Sequence, residues 1–425
     1  MRDPDRDGAD DDRPLPWSGV ADKTSYYRLF VAYVMALFAT GVATVALALF
    51  AYALVAEDAG TVLGTALSLK ALAYVVGAPV AAALTMHLRR KPLLIALDLL
   101  RAGSLLLLPF VTAAWQVFVI VFVFSLASAV FTQVYQTVVP FLLAVKEDYT
   151  KSLARSRIAS ELETSVSPLL AAGLLLIMTS RSVFVLAALI FLVSAWLIGR
   201  AALPGRVAER SDSLRSRLLR GPRLFLATPD LRGLIALDVV VASVTAMVMV
   251  NTVVLVQGEF GMDRQASAIG FAVFGLGAVI GAVTLIPSLR VLPERAVMLT
   301  GAVLCCLGLF GAAVLATGFH GLLLAWLVLG LGTSVALTPA TFLIRRIAPP
   351  RDSQLLFAAQ LALTNGFLLL GYSAAGWLGY GLGLPQTFLV LGVVAALGTV
   401  AAAWLWPRAG GATGPAAVAQ PRQRP

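Results

Sequence analysis

A few ionisable side chains lie inside stretches of this chain that are otherwise apolar. They are Lys70, Asp98, Arg101, Glu161, Glu163 and Asp238. A charge in hydrocarbon costs at least ~2.5–3.5 kcal/mol on insertion scales, so each needs a purpose. Lys70 sits about ten residues into its run, roughly 15 Å deep if helical, which is too far to reach water easily. It either contacts a substrate or coupling ion, or pairs with a carboxylate to support packing. Tyr74, one turn on, shares its face. Asp238 has Thr245 and Thr252 seven and fourteen residues beyond it, one polar stripe on a helix. Such a carboxylate can take a proton or a cationic group, or serve as an acid at the mouth of the run. Glu161 and Glu163 are two apart and face different sides of a helix. One can stabilise a helix N-terminus or pair with Arg155 or Arg157, and the other can face inward. Asp98 and Arg101 are three apart and can pair on one helix, a structural role.

Uncharged polar residues recur at helical spacing. Ser125, Ser128, Thr132 and Gln136, with Gln133 adjacent, mark one run. Ser334, Thr338 and Thr341 mark a second, and Gln360, Thr364 and Asn365 a third. These stripes either line a water-filled path or supply interhelical hydrogen bonds, worth ~0.6 kcal/mol each in a bilayer. No phosphate-binding loop is present, so ATP does not drive the protein directly. No His, Asp or Glu cluster has catalytic spacing, which excludes an enzyme. The two cysteines, Cys305 and Cys306, are adjacent and provide neither a disulfide framework nor a metal site. No cofactor is implied.

These residues must be positioned by elements that live in lipid. Of the 425 residues, 59% are hydrophobic and only 13% charged, about half the charge that a soluble domain carries. The net charge of +10 does not mark a nucleic-acid protein, because the basic residues are confined to short loops between apolar runs. A spanning helix needs ~20 apolar residues. Twelve runs meet this, at 27–55, 60–88, 92–112, 116–143, 158–180, 182–203, 231–256, 265–289, 296–317, 320–344, 354–380 and 385–406. Thr228-Pro229-Asp230 predicts a capped helix start, and Pro92 and Pro385 are further candidate starts.

With both ends placed in the cytoplasm, 28 of the 32 Lys and Arg residues fall on the inner side and two, Arg181 and Arg264, on the outer. That asymmetry orients the chain. Residues 1–26 are acidic and polar, unlike a cleavable signal, and predict a disordered cytoplasmic tail, as does 407–425. Six runs (27–203) and six more (231–406) flank the linker 204–230. The interval from Arg200 to Arg232 holds eight arginines. Around Leu214 and Leu218 it either lies on anionic headgroups as an amphipathic segment or is a flexible linker. The halves echo each other weakly: Thr137-Val-Val-Pro140 matches Thr338-Pro339, each ahead of charged residues. Gly277 and Gly281, four apart, predict close helix packing.

An all-α chain of twelve spans in two six-helix halves, with a long central basic loop, resembles the major facilitator superfamily. That family carries a G-x-x-x-D-R-x-G-R-R/K pattern between its second and third helices, which locks the halves in one state. Here the stretch runs from Ala82 to Lys91. It keeps the basic end as Arg89, Arg90 and Lys91 and departs at the glycine, aspartate and first arginine. The segments Ile95–Ala102 and Leu153–Pro168 resemble the branch containing macrolide and enterobactin exporters. Ser167-Pro168 stands where family exporters carry Gly-Pro.

The resemblance implies that the first, fourth, seventh and tenth helices line a cavity, which favours the path over simple packing for the stripes. It implies a monomer in the plasma (inner) membrane that moves a small amphipathic or hydrophobic organic molecule outward, driven by protons, by rocking of the two halves. Lys70, Asp238 and Glu163 are the coupling candidates. Tyr74, Ser128, Thr132, Gln133, Gln136, Thr245, Thr252, Thr338, Gln360 and Asn365 are the lining candidates, and Arg89, Arg90 and Lys91 the gating loop. The alternatives are an importer or uncoupled facilitator, a non-transporting receptor, and a lipid scramblase.

Overall fold

The computed structural model describes residues 23–55, 59–143, 146–203, 223–340, 343–344 and 353–406. Both tails to residues 22 and 407, the linker 204–222 with Leu214 and Leu218, and Thr341 lie outside the described residues.

Among the described residues the chain forms twelve long helices. They are α1 (Lys23–Val55), α2 (Ala59–His87), α3 (Arg90–Leu107), α4 (Ala114–Leu142), α5 (Lys146–Ile177) and α6 (Ser180–Arg200), then α7 (Pro229–Val253), α8 (Arg264–Val291), α9 (Glu294–Leu315), α10 (Phe319–Leu337), α11 (Ser353–Leu382) and α12 (Leu384–Leu405). Eleven are long and apolar enough to cross a membrane, and α5 has a shorter apolar stretch at Val166–Ile177. The chain is a multi-pass membrane protein. Large apolar side chains cover its outside, including Phe110, Ile177 and Trp404, each at least 80% exposed. On a soluble protein that surface would aggregate; in a bilayer it faces lipid.

Helix starts follow local chemistry, with two differences from expectation. α7 begins at Pro229 after Thr228, but the Thr228 hydroxyl donates back to the Leu224 carbonyl (2.9 Å) instead of capping. α5 begins at Lys146, not near 158, because the polar stretch KEDYTKSLARSR is helical as well. Glu161 and Glu163 therefore lie mid-helix, and the helix-terminus role falls away for both. Charged residues of this kind are good helix formers, so polarity alone does not end a helix.

The packing repeats with an offset of six helices. α1 packs on α4, α5 and α6; α7 packs on α10, α11 and α12. α2 and α3 pack on α4, as α8 and α9 do on α10. Two further pairs, α2 with α11 and α5 with α8, join the halves and obey the same offset. The termini of the halves match too. Arg28 Nη1 donates to the Arg200 carbonyl (2.6 Å), tying the start of α1 to the end of α6. At the start of α7, Gly233 faces the Trp406 ring after α12. The helix packing thus repeats between the first six and the last six helices. Gly277 and Gly281 behave as expected: a methyl group on either would meet the α10 backbone around Leu327 and Leu331.

Candidate functional site

Two polar centres stand out, one in each set of six helices. In the second half, Asp238 on α7 is fully buried. Gln360 and Thr364 are four apart on α11 and so share a face. Gln360 Nε2 donates to both Asp238 oxygens (3.0 and 2.9 Å), and Thr364 Oγ1 donates to Oδ1 (2.9 Å). Among its partners on α11, neutral donors thus hold the carboxylate across the α7–α11 contact. The other amide atom, Gln360 Oε1, is buried without a hydrogen-bond partner. The amide can accept as well as donate, so this cluster can host either charge state of Asp238.

In the first half, Lys70 Nζ donates to Thr44 Oγ1 on α1 (2.7 Å), and Thr44 passes the bond to the Thr40 carbonyl (2.9 Å). Glu163 is the acid whose charge reaches both Lys70 and Tyr74. It lies against α1 at Gly41, where a Cβ would collide with Glu163 Oε1 and Ser167. Only a glycine lets α1 and the mid-helix acid of α5 approach this closely. Beside them, Asp98 pairs with Arg101 and accepts from Ser194 Oγ on α6 (2.7 Å). The Arg101 guanidinium lies over the rings of Phe131 and Phe191, 4.0 and 4.4 Å from their centroids. The expected i,i+3 pair is present, and its further partner is α6.

Removing one member of a buried pair strands the other charge, typically at ~3–5 kcal/mol. Asp98→Ala should therefore sharply lower the thermal unfolding midpoint of the purified protein. The double variant Asp98→Leu/Arg101→Met should recover most of the loss. An Asp98→Ala protein as stable as the wild type would refute this account.

A cavity of about 10 Å³ is lined by Tyr74, Arg101, Ser128, Thr132, Tyr33 and Thr40 among others. A second, of about 20 Å³, adjoins Lys70. Each is water-sized.

The remaining lining candidates divide. Ser128 and Thr132 bond back to their own helix, to the Phe124 and Ser128 carbonyls. Asn365 does the same to Leu361. Gln133, Gln136 and Thr245 are half-buried and make no hydrogen bond among the described residues. Thr338 is half-buried, 3.5 Å from Ser334 Oγ. Thr252 is fully buried and accepts from Trp326 Nε1 on α10 (2.8 Å), so it joins helices. Of the basic loop, Arg89 is exposed and Lys91 half-buried, while Arg90 is buried and reaches the Thr137 carbonyl at the end of α4 (3.4 Å).

The α2–α11 contact was not anticipated. Ser68 Oγ lies 2.8 Å from Ser373 Oγ and 3.2 Å from the Leu369 carbonyl. A Cβ on Gly64 would come within 2.7 Å of the Tyr372 carbonyl and 2.9 Å of Gly376 Cα. The signal was legible: Gly60, Gly64 and Ser68 repeat every four residues, the small-residue pattern of touching helices. Asn251 on α7 joins this end by donating to the Ala375 carbonyl (3.1 Å). There α7 runs into a π-helical segment, Val254–Glu259.

The Major Facilitator Superfamily profile matches residues 29–292 and 239–424, which together span most of the chain. The chain belongs to the Major Facilitator Superfamily. It is accordingly a transporter and not an enzyme. No curated protein matches it by sequence. A point mutant of the nucleoside transporter NupG superposes with TM-score 0.70 at 14% identity, covering 90% of this chain and all (100%) of the other. A POT family transporter in complex with a thioalcohol-conjugated peptide superposes with TM-score 0.67 at 13% identity, covering 88% of this chain and 94% of the other. At such identities the likeness concerns the fold. For this Major Facilitator chain, function rests on its own side chains.

Proposed function

We propose that this protein is a proton-coupled secondary transporter of twelve spans. Residues 27–203 and 231–406 form two six-helix bundles, and both ends face the cytoplasm of a cell bounded by the plasma (inner) membrane. The bundles rock about a midplane site and export a small amphipathic or hydrophobic organic molecule. The observation that carries this reading is the Asp238 carboxylate, buried across α7 and α11 with Gln360 and Thr364 as donors. Glu163 and Lys70 form the second ion-coupling centre. Gln133, Gln136 and Thr245 have polar atoms that no described residue uses, so they suit a substrate with some hydrogen-bonding groups. The resemblance of Ile95–Ala102 and Leu153–Pro168 to macrolide and enterobactin exporters supports the direction.

The test is accumulation of labelled lipophilic compounds in efflux-deficient bacterial cells, with and without a protonophore. The expected result is depletion of at least one compound, abolished by the protonophore. Depletion that survives the protonophore would replace coupling with facilitated diffusion. Gradient-driven accumulation would reverse the direction to import. The latter reading draws on the fold neighbours, whose names mark nucleoside and peptide-binding transporters.

A further inference from the structure

We infer that the first half of the chain binds a single small inorganic anion, of chloride size, between Lys70 and Ser125. The void beside Lys70, about 20 Å³, is walled by α1, α2, α3 and α4 at the level of Thr44. Its wall is mainly apolar, with Leu47, Leu105, Val121 and Phe124 among the residues. Lys70 and Ser125 interrupt it, and both offer hydrogens. The ammonium has three N–H groups, and its hydrogen bond among the described residues is to Thr44. That partner is neutral, and its own hydrogen is committed to the Thr40 carbonyl.

Ser125 is 1% exposed, and its hydroxyl has no hydrogen-bond partner. Serine within a helix commonly bonds back to the carbonyl four residues earlier, as Ser128 does here. A buried hydroxyl that forgoes this bond beside a void is poised for a ligand in the void. An ammonium and an unused hydroxyl facing one space favour a species that accepts hydrogen bonds and carries negative charge. The apolar remainder of the wall suits a monoatomic ion, which makes few directional demands. Glu163 exerts its charge on Lys70, but the hydrogen bond that the ammonium makes among the described residues goes to the neutral Thr44. The local positive charge is therefore incompletely balanced, and Glu163 opposes the anion without blocking its place.

The site does not depend on the export reading, since binding can be measured without transport. The experiment is thermal unfolding of the purified full chain in detergent. Sodium chloride or bromide is exchanged for sodium gluconate at constant ionic strength. The expected result is a saturable rise of the unfolding midpoint with chloride and bromide, absent with gluconate. Ser125→Ala removes one hydrogen bond to a charged group and should raise the half-saturating concentration about tenfold. Lys70→Gln should abolish the response. Glu163→Gln removes the opposing charge and should lower the half-saturating concentration several-fold. If Lys70→Gln fails to fold, Ser125→Ala and Glu163→Gln decide. Equal midpoints in chloride and gluconate would overturn the proposal and leave the void to water alone. So would a chloride response that Ser125→Ala leaves unchanged, because the ion would then sit elsewhere.

Discussion

Asp238→Asn is expected to abolish gradient-driven transport while leaving the folded protein nearly as stable as the wild type. The argument turns on Gln360. In the wild type, its Nε2 donates to both carboxylate oxygens, Thr364 adds a third bond, and Gln360 Oε1 has no partner. Asparagine at position 238 has the same shape but replaces one acceptor oxygen with a donor. A rotation of the Gln360 amide then presents Oε1 to the new amide, so one amide atom still lacks a partner, as before, and Thr364 keeps its bond to the remaining oxygen. The fold thus loses little, and the titratable group is gone. Gln360→Leu should do the opposite. It strands a buried carboxylate with fewer donors, which costs ~1–3 kcal/mol or more for a charged group, so the unfolding midpoint should fall. The comparison separates coupling from packing. Efflux by Asp238→Asn at the wild-type rate would remove Asp238 from the mechanism.

The legible part of this molecule was what lipid dictates. Twelve helices lie where long apolar runs and basic loops place them, because a bilayer allows few alternatives. The charged residues within those runs were visible for the same reason. Apart from the Asp98–Arg101 pair, their partners were not. Asp238 and Gln360 were separate candidates 122 residues apart, and nothing in the chain joined them before α7 and α11 were packed. Ser194, which completes the Asp98–Arg101 pair, sits mid-way along a helix whose charges, Arg181 and Arg200, lie at its ends. Thr252 shows the converse. Its place on a seven-residue stripe with Asp238 and Thr245 implied a shared face, yet the Trp326 indole claims it. Spacing assigns a face of a helix, but the neighbouring helix decides what that face is for. The start of α5 was misplaced because hydropathy marks where lipid begins, not where hydrogen-bonded turns begin.

A cysteine pair replacing Ser68 and Ser373, built in a Cys305→Ala/Cys306→Ala background, should cross-link readily and stop transport, with recovery on reduction. The hydroxyls are 2.8 Å apart, and the helix backbones nearly touch at Gly64 and Gly376. That proximity suits the short reach of a disulfide. The case for movement lies in what holds this seam. At Gly64, Ser68, Ser373 and Gly376 it is built from glycines, serines and carbonyls. Its interhelical bonds, at ~0.6 kcal/mol each in a bilayer, amount to little against the few kcal/mol that separate two accessible conformations. The seam is therefore cheap to open and sterically exact when closed. It lies toward the end of α2 away from the basic loop Arg89–Lys91, which in the proposed topology is the end that opens to release cargo outward. Gly64→Leu should act in the reverse sense. Its side chain would meet the Tyr372 carbonyl and wedge the helices apart, so the pair at 68 and 373 would no longer cross-link in that variant. Transport that continues at full rate with the oxidised pair in place would show that the seam stays closed throughout the cycle, and the opening would have to be sought at α5 and α8.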